Sequence, residues 1–106
     1  MAQPRLDTFQ VIADPSRRQI LGMLLKDSMT INNIAENFDM SRPAVSKHIK
    51  ILLGGGFITI KDIGRERYCT LKQDGFLDLQ EWINFFDKFW QSKLKKLEAI
   101  LNNKSK

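Results

Sequence analysis

A mainly helical chain closed by one small β-hairpin, an α+β arrangement in the order α-α-α-α-β-β-α, is what this sequence predicts. Three observations predict it. A capped apolar stripe runs through residues 41–53. The hydrophobic period then changes from helical to two just after Gly54, Gly55 and Gly56. A long seam of nearly seven-residue period fills the last third of the chain.

At 106 residues the chain suggests one domain, 1–106. Leu6, Phe9 and Ile12 punctuate a first helix over residues 5–13. Asp14 is a ready N-cap with Pro15 at the first helical position, so a second helix is predicted to about Lys26. Ile20, Leu21, Leu24 and Leu25 form its core stripe. Arg17 and Arg18 stand in its first turn, the unfavourable end for cations. Phosphate contact, pairing with acids and plain solvent exposure are all open uses for them.

Thr30 caps a third helix, Ile31 to Phe38, with Ile31, Ile34, Ala35 and Phe38 on one face. Asp39 and Met40 make a very short turn, with Met40 filling the space beneath it. Ser41 then caps the fourth helix, and Pro43 occupies its first turn at no cost. Val45, Ile49 and Leu52 face the core. Arg42, Pro43, Ser46, Lys47, His48 and Lys50 lie on or beside the opposite face, and no acid occurs in the stretch. Two helices across a turn of about three residues, the second one basic, make a helix-turn-helix over 30–53. Such a helix fits a DNA major groove, where lysine and arginine serve phosphates or guanine edges. An ordinary amphipathic helix with a solvated basic face is the plain alternative.

Residues 57–62 and 67–71 are predicted as strands around a turn at Ile63, Gly64, Arg65 and Glu66. A hairpin over 57–71 that follows a recognition helix is a wing, so the whole is a winged helix-turn-helix. Lys61, Arg65 and Arg67 at its tip would rest on the DNA backbone or in a minor groove. Closing the core is the hairpin's other role. Cys69 is placed as a small core residue.

The last helix is predicted from Phe76 to Leu101. Leu79, Ile83, Phe86, Trp90, Leu94, Leu97 and Leu101 form the seam, and Trp82, Phe85 and Phe89 form a second stripe beside it. One small domain cannot bury both along one helix. A homodimer interface follows, built from helices 5–13 and 76–101 through Leu6, Phe9, Trp82, Phe85, Phe86, Phe89, Trp90 and Leu97. A groove for a ligand or partner protein is the competing reading of this face. Asn102 to Lys106 are expected to fray.

These pieces resemble the ArsR/SmtB family of bacterial winged-helix repressors. Asp14, Pro15, Ser16, Arg17, Arg18, Gln19, Ile20 and Leu21 carry the likeness, with Val45, Ser46, Lys47, His48 and Ile49 and the hairpin's Gly64 and Arg65. It spans about Phe9 to Leu101. The resemblance implies a homodimer joined by the terminal helices, and an operator with inverted half-sites.

The family's metal sites find no counterpart here. Ile31, Asn32, Asn33, Ile34 and Ala35 fill the usual thiol position, and the last helix holds no histidine or cysteine. Lone Cys69 and lone His48 do not make a soft-metal site. Asp78, Glu81 and Asp87 are better read as solvated charge than as a carboxylate site. The chain resembles the branch without a metal site, in which Phe89, Trp90 and the run Lys95 to Glu98 echo a recurrent ending. No cofactor is expected. An inducer or a protein partner has its place in such a repressor, but no residue identifies its chemistry.

Net charge of +5 suits a polyanionic partner, here double-stranded DNA. A single cysteine, no apolar run of membrane-span length and no apolar leader point to a cytoplasmic protein. No nucleophile with a base, no phosphate-cradling loop and no metal cluster speaks for an enzyme. Two further classes stay open: a winged-helix interaction module that does not read DNA, and a repressor switched by oxidation of Cys69. Lys50 is read as a phosphate contact, and His48 as a donor to a phosphate or to a neighbouring side chain, with a half-buried structural role also open for His48.

Overall fold

The computed structural model describes residues 6–104, in the order α1 (Thr8–Ile12), α2 (Pro15–Met23), β1 (Met29–Thr30), α3 (Ile31–Glu36), α4 (Arg42–Gly54), β2 (Ile58–Ile63), β3 (Glu66–Leu71) and α5 (Gln73–Lys104). Residue 5, where the first helix was expected to begin, and residues 105 and 106 of the expected frayed tail lie outside this range.

The caps act where the residue types place them. Asp14 Oδ1 accepts the Ser16 and Arg17 backbone N–H groups at 2.7 and 3.2 Å, Thr30 Oγ1 accepts that of Asn33 at 3.0 Å, and Ser41 Oγ that of Ala44 at 3.3 Å. A fourth cap is new: Asp7 and Gln10 form a reciprocal capping box at the start of α1.

The core gathers Val11, Ile20, Leu21, Leu24, Ile31, Ile34, Val45, Ile49, Leu52, Phe57, Ile58 and Cys69. All three predicted core residues of α4 are in it. In α1 the buried residue is Val11, while Leu6 and Phe9 stay exposed. The predicted second helix is too long: α2 stops at Met23, and Leu25 is 76% exposed. The chain turns there to bring Met29 to the sheet. α3 likewise ends at Glu36, leaving Phe38 and Met40 half-buried beneath the turn.

The hairpin gains a partner that the sequence does not announce. β1 pairs antiparallel with β3, Met29 opposite Cys69 and Thr30 opposite Tyr68, so the sheet has three strands in the order β1-β3-β2. Two residues carry no period, and only the tertiary approach of α3 to β3 reveals the pairing. Between β2 and β3, Ile63 faces Glu66 across a two-residue loop. Gly64 takes φ +64 at its first position, as a type II′ turn requires.

Two glycines of the triple set have separate jobs. A Cβ on Gly55 would meet Val11 at 3.0 Å, and Gly56 turns the chain with φ +77. The Gly56 carbonyl then accepts the Gly75 N–H at 2.8 Å. That brings the start of α5 down onto Phe57, whose ring lies 2.8 Å from where a Gly75 Cβ would be. α5 therefore begins at Gln73, earlier than the predicted Phe76, with Gly75 inside it.

α5 runs clear of the core after its first two turns. Gly75 is buried and Leu79 packs against the core, but every residue from Gln80 to Asn103 is exposed. Its 32 residues span about 48 Å, and the molecule extends 70 Å along its long axis.

Candidate nucleic-acid interface

α4 presents its polar face beside the wing. Arg42 is the best-anchored cation there: Nε donates to Asn32 Oδ1 at 2.9 Å, and Nη1 donates to Ser46 Oγ at 2.6 Å. The guanidinium is thus held from α3 on one side and from the next turn of α4 on the other, while remaining exposed. A planar group with set orientation is suited to bidentate recognition of a base edge or a phosphate. Asn32 was missed in the sequence because it lies ten residues away and meets Arg42 only across the helix-turn-helix.

Arg42 borders a cleft of about 200 Å³ whose other walls include Asn32, Arg65, Glu66 and Arg67. Arg42 of the helix and Arg65 and Arg67 of the wing therefore share one cleft, which Lys47, His48, Lys50 and Lys61 do not line. Arg67 is partly neutralised by Asp62, Nε to Oδ1 at 3.2 Å, with both side chains largely exposed. Tyr68 donates to Glu66 at 3.1 Å, and that bond, with the carboxylate's charge, raises the phenol's pKa. Lys47, Lys50, Lys61 and Arg65 make no ion pair or side-chain hydrogen bond among the described residues. Pro43 lies open at the helix start, and Ser46 is half-buried.

The two arginines at the start of α2 answer a need of α1. Arg17 is buried, donating from Nε to the Val11 carbonyl and from Nη2 to the Gln10 carbonyl at 3.1 Å. Arg18 Nη1 donates to the Ile12 and Ala13 carbonyls at 2.7 and 2.9 Å. A helix end leaves such carbonyls without partners, and here neighbouring side chains supply them. Of the three uses left open, Arg17 shows a distant pairing with an acid, Nη1 lying 4.0 Å from Asp14 Oδ2, and Arg18 is solvent-exposed while it holds its two carbonyls. Burial raises the Asp14 pKa, but the Arg17 and Ser16 backbone N–H groups, with the nearby positive charge of Arg17, outweigh it and hold the carboxyl below its usual value.

His48 is half-buried, and its Nδ1 lies 3.1 Å from Arg17 Nη1. A guanidinium only donates, so Nδ1 accepts and the imidazole proton resides on Nε2. One ring nitrogen is thus committed inward.

Cys69 is wholly buried in the sheet, and burial pushes its thiol pKa up, against a smaller opposing pull from Arg67. That is the state of a packing residue rather than a reactive thiolate. Among the described residues no three His, Cys, Asp or Glu side chains cluster as a metal would need. None of the described helices is long and apolar enough to cross a membrane.

The predicted dimer residues lie as two connected groups. Phe9 of α1 meets Trp82 of α5 edge-on, ring centroids 5.1 Å apart, and Trp82 continues to Phe86 at 4.9 Å. Thr8 donates to Asp78 at 3.3 Å beside them. Further out Phe89 meets Trp90 at 5.1 Å, with Lys93 over the Phe89 ring. Phe85 and Leu97 stand exposed on the same helix.

Residues 14–59 match the family described as bacterial regulatory protein, arsR family. The chain is 36% identical over 83 residues to the transcriptional repressor SdpR of Bacillus subtilis, covering 77% of this chain and 92% of that one. It is similar to the crystal structure of an ArsR family transcriptional regulator, with TM-score 0.74 and 35% identity over 80% of this chain and 88% of that one. The homodimeric winged helix-turn-helix DNA-binding domain of a Mycobacterium bovis protein shares the fold, with TM-score 0.61 and 20% identity over 76% of this chain and 75% of that one.

Proposed function

The chain belongs to the ArsR family of bacterial regulatory proteins, which are DNA-binding transcriptional regulators, and on that premise we propose that it is a homodimeric repressor of a palindromic operator. Each subunit lays α4 in a major groove and rests the wing on the neighbouring backbone or minor groove. The observation that carries this reading is the anchored Arg42 standing beside Arg65 and Arg67, on a helix with no acid. Arg42 reads a base edge or grips a phosphate, with Pro43 and Ser46 close to the bases. Lys47 likewise contacts a base edge or a phosphate, Lys50 a phosphate, and Lys61, Arg65 and Arg67 the backbone or the minor groove. His48 has only Nε2 left for a phosphate.

Dimerisation is supported by the exposed aromatic and aliphatic side chains of α5, together with Leu6 and Phe9. The Mycobacterium bovis neighbour with the same fold is a homodimer, and the relative SdpR is a repressor. Two-fold symmetry then sets half-sites about one helical turn apart, or a multiple.

The test is a titration of the purified protein against its own upstream DNA and a scrambled duplex at two salt concentrations, with the mass in solution measured alongside. Tight, selective, salt-dependent binding by a dimer is expected. Arg42→Ala should relax sequence preference at a cost of about 1–3 kcal/mol if it pairs with guanine. Lys50→Ala should weaken all sequences alike and flatten the salt slope by about one unit. Equal, weak binding to both duplexes, or both substitutions without effect, overturns the reading.

A further inference from the structure

We infer that Arg17 is a positioning residue for DNA reading, seating α4 through Nδ1 of His48 and joining that helix to the C-terminal end of α1. The inference rests on the DNA-binding reading above and adds to it a residue that touches no DNA.

Arg17 is 9% exposed and its guanidinium divides its donors among separate elements. Nε and Nη2 hold the Val11 and Gln10 carbonyls of α1, and Nη1 faces His48 of α4. Asp14, the N-cap of α2, stands 4.0 Å from the same Nη1 and balances the charge. With each of its three nitrogens engaged, the guanidinium is held in one orientation. The His48 ring cannot turn away without leaving a buried N–H unpaired, which is costly.

His48 sits in the second turn of α4, next to Lys47 and two residues from Ser46 and Lys50. Its Cα is therefore the point at which α4 is tied to the helices behind it. The buried residues Val45, Ile49 and Leu52 resist lifting of the helix but, being apolar, set its roll only through shape. The Arg17 bond adds a directional constraint. Base-edge contacts need placement to a fraction of an ångström, whereas phosphate attraction tolerates more. Loss of this bond should then lower discrimination between sequences more than general affinity.

Two isosteres separate the ring nitrogens. In His48→Asn the amide oxygen takes the place of Nδ1, keeping the acceptor for Arg17 and losing Nε2. In His48→Gln the amide nitrogen takes the place of Nε2, keeping a phosphate donor and losing the acceptor. The probe is a duplex selected by the wild-type protein from a random library, with a scrambled duplex beside it, at two salt concentrations and well below each variant's melting temperature. His48→Asn, which gives up the Nε2 phosphate contact, should bind both duplexes more weakly yet keep the selected-to-scrambled affinity ratio within about twofold, while His48→Gln should lose about tenfold of that ratio with the salt slope unchanged. Arg17→Lys in the His48→Gln background should add no further loss, since the two side chains act as one unit. A His48→Gln protein with the wild-type ratio, or a His48→Asn protein as impaired as His48→Gln, overturns the inference while leaving the repressor reading intact. A wild-type protein that selects no sequence overturns both.

Discussion

The residues up to Leu79 and the rest of α5 carry similar proportions of apolar side chain and treat it in opposite ways. In the first region Phe57, Ile34, Val45 and Leu52 are wholly buried. In the second, Trp82, Phe85, Phe89, Trp90 and Leu94 are all about half exposed or more. The polar groups follow the same division. Around α1 and α2 even the last carbonyls of a five-residue helix find arginine donors. On α5 beyond Asp78 the side-chain interactions include Gln80 with Asn84, ring contacts along the helix, Lys93 over Phe89 and Trp82 against Phe9 of α1. One region covers its apolar side chains within the subunit, and the other leaves them exposed. Large contiguous apolar surfaces of that kind mark interaction sites.

Substitutions can break or sharpen this contrast. Phe57→Ala empties the point where α4, the sheet and the start of α5 meet, and should cost about 3–5 kcal/mol, read by chemical denaturation. Trp90→Glu should leave the melting of the self-contained region nearly unchanged at low concentration. It should nevertheless halve the mass in solution and weaken operator binding by about 100-fold, as the linkage between half-sites is lost. If the mass is unchanged, α5 does not join copies of this chain.

Asp14→Ala removes a cap and should cost about 1 kcal/mol near neutral pH. The Asp14 pKa is lowered in the folded protein, so its stabilisation is present above the ordinary carboxylate range and fades as pH falls through the folded value. The gap between wild type and variant in melting temperature should therefore shrink in acid, and a gap that grows there contradicts the network. Leu25→Ala should change stability by less than about 0.5 kcal/mol, because the side chain is already in solvent. A larger loss in the isolated subunit would mean that Leu25 is packed after all.

Residue type and period alone determined the starts of α2, α3 and α4, the core face of α4, the wing and the excess apolar surface of α5. Asp14, Thr30 and Ser41 cap locally, through bonds to backbone two or three residues ahead. Val45, Ile49 and Leu52 share a face by helical geometry. Gly64 permits a two-residue turn wherever it stands. Such features need no distant partner, so they can be read along the chain.

Other features were decided only when distant residues met. Met29 and Thr30 become a strand because β3 offers its free edge, and Val11 rather than Phe9 enters the core because Gly55 leaves room for it. Leu25 belongs to the apolar stripe of α2 by spacing but lies past the point where the helix ends. Arg42 gains its orientation from Asn32, and Arg17 and Arg18 are explained by the carbonyls of a different helix. In each case the partner is set by the packing of elements in space, and a linear pattern holds no record of that distance.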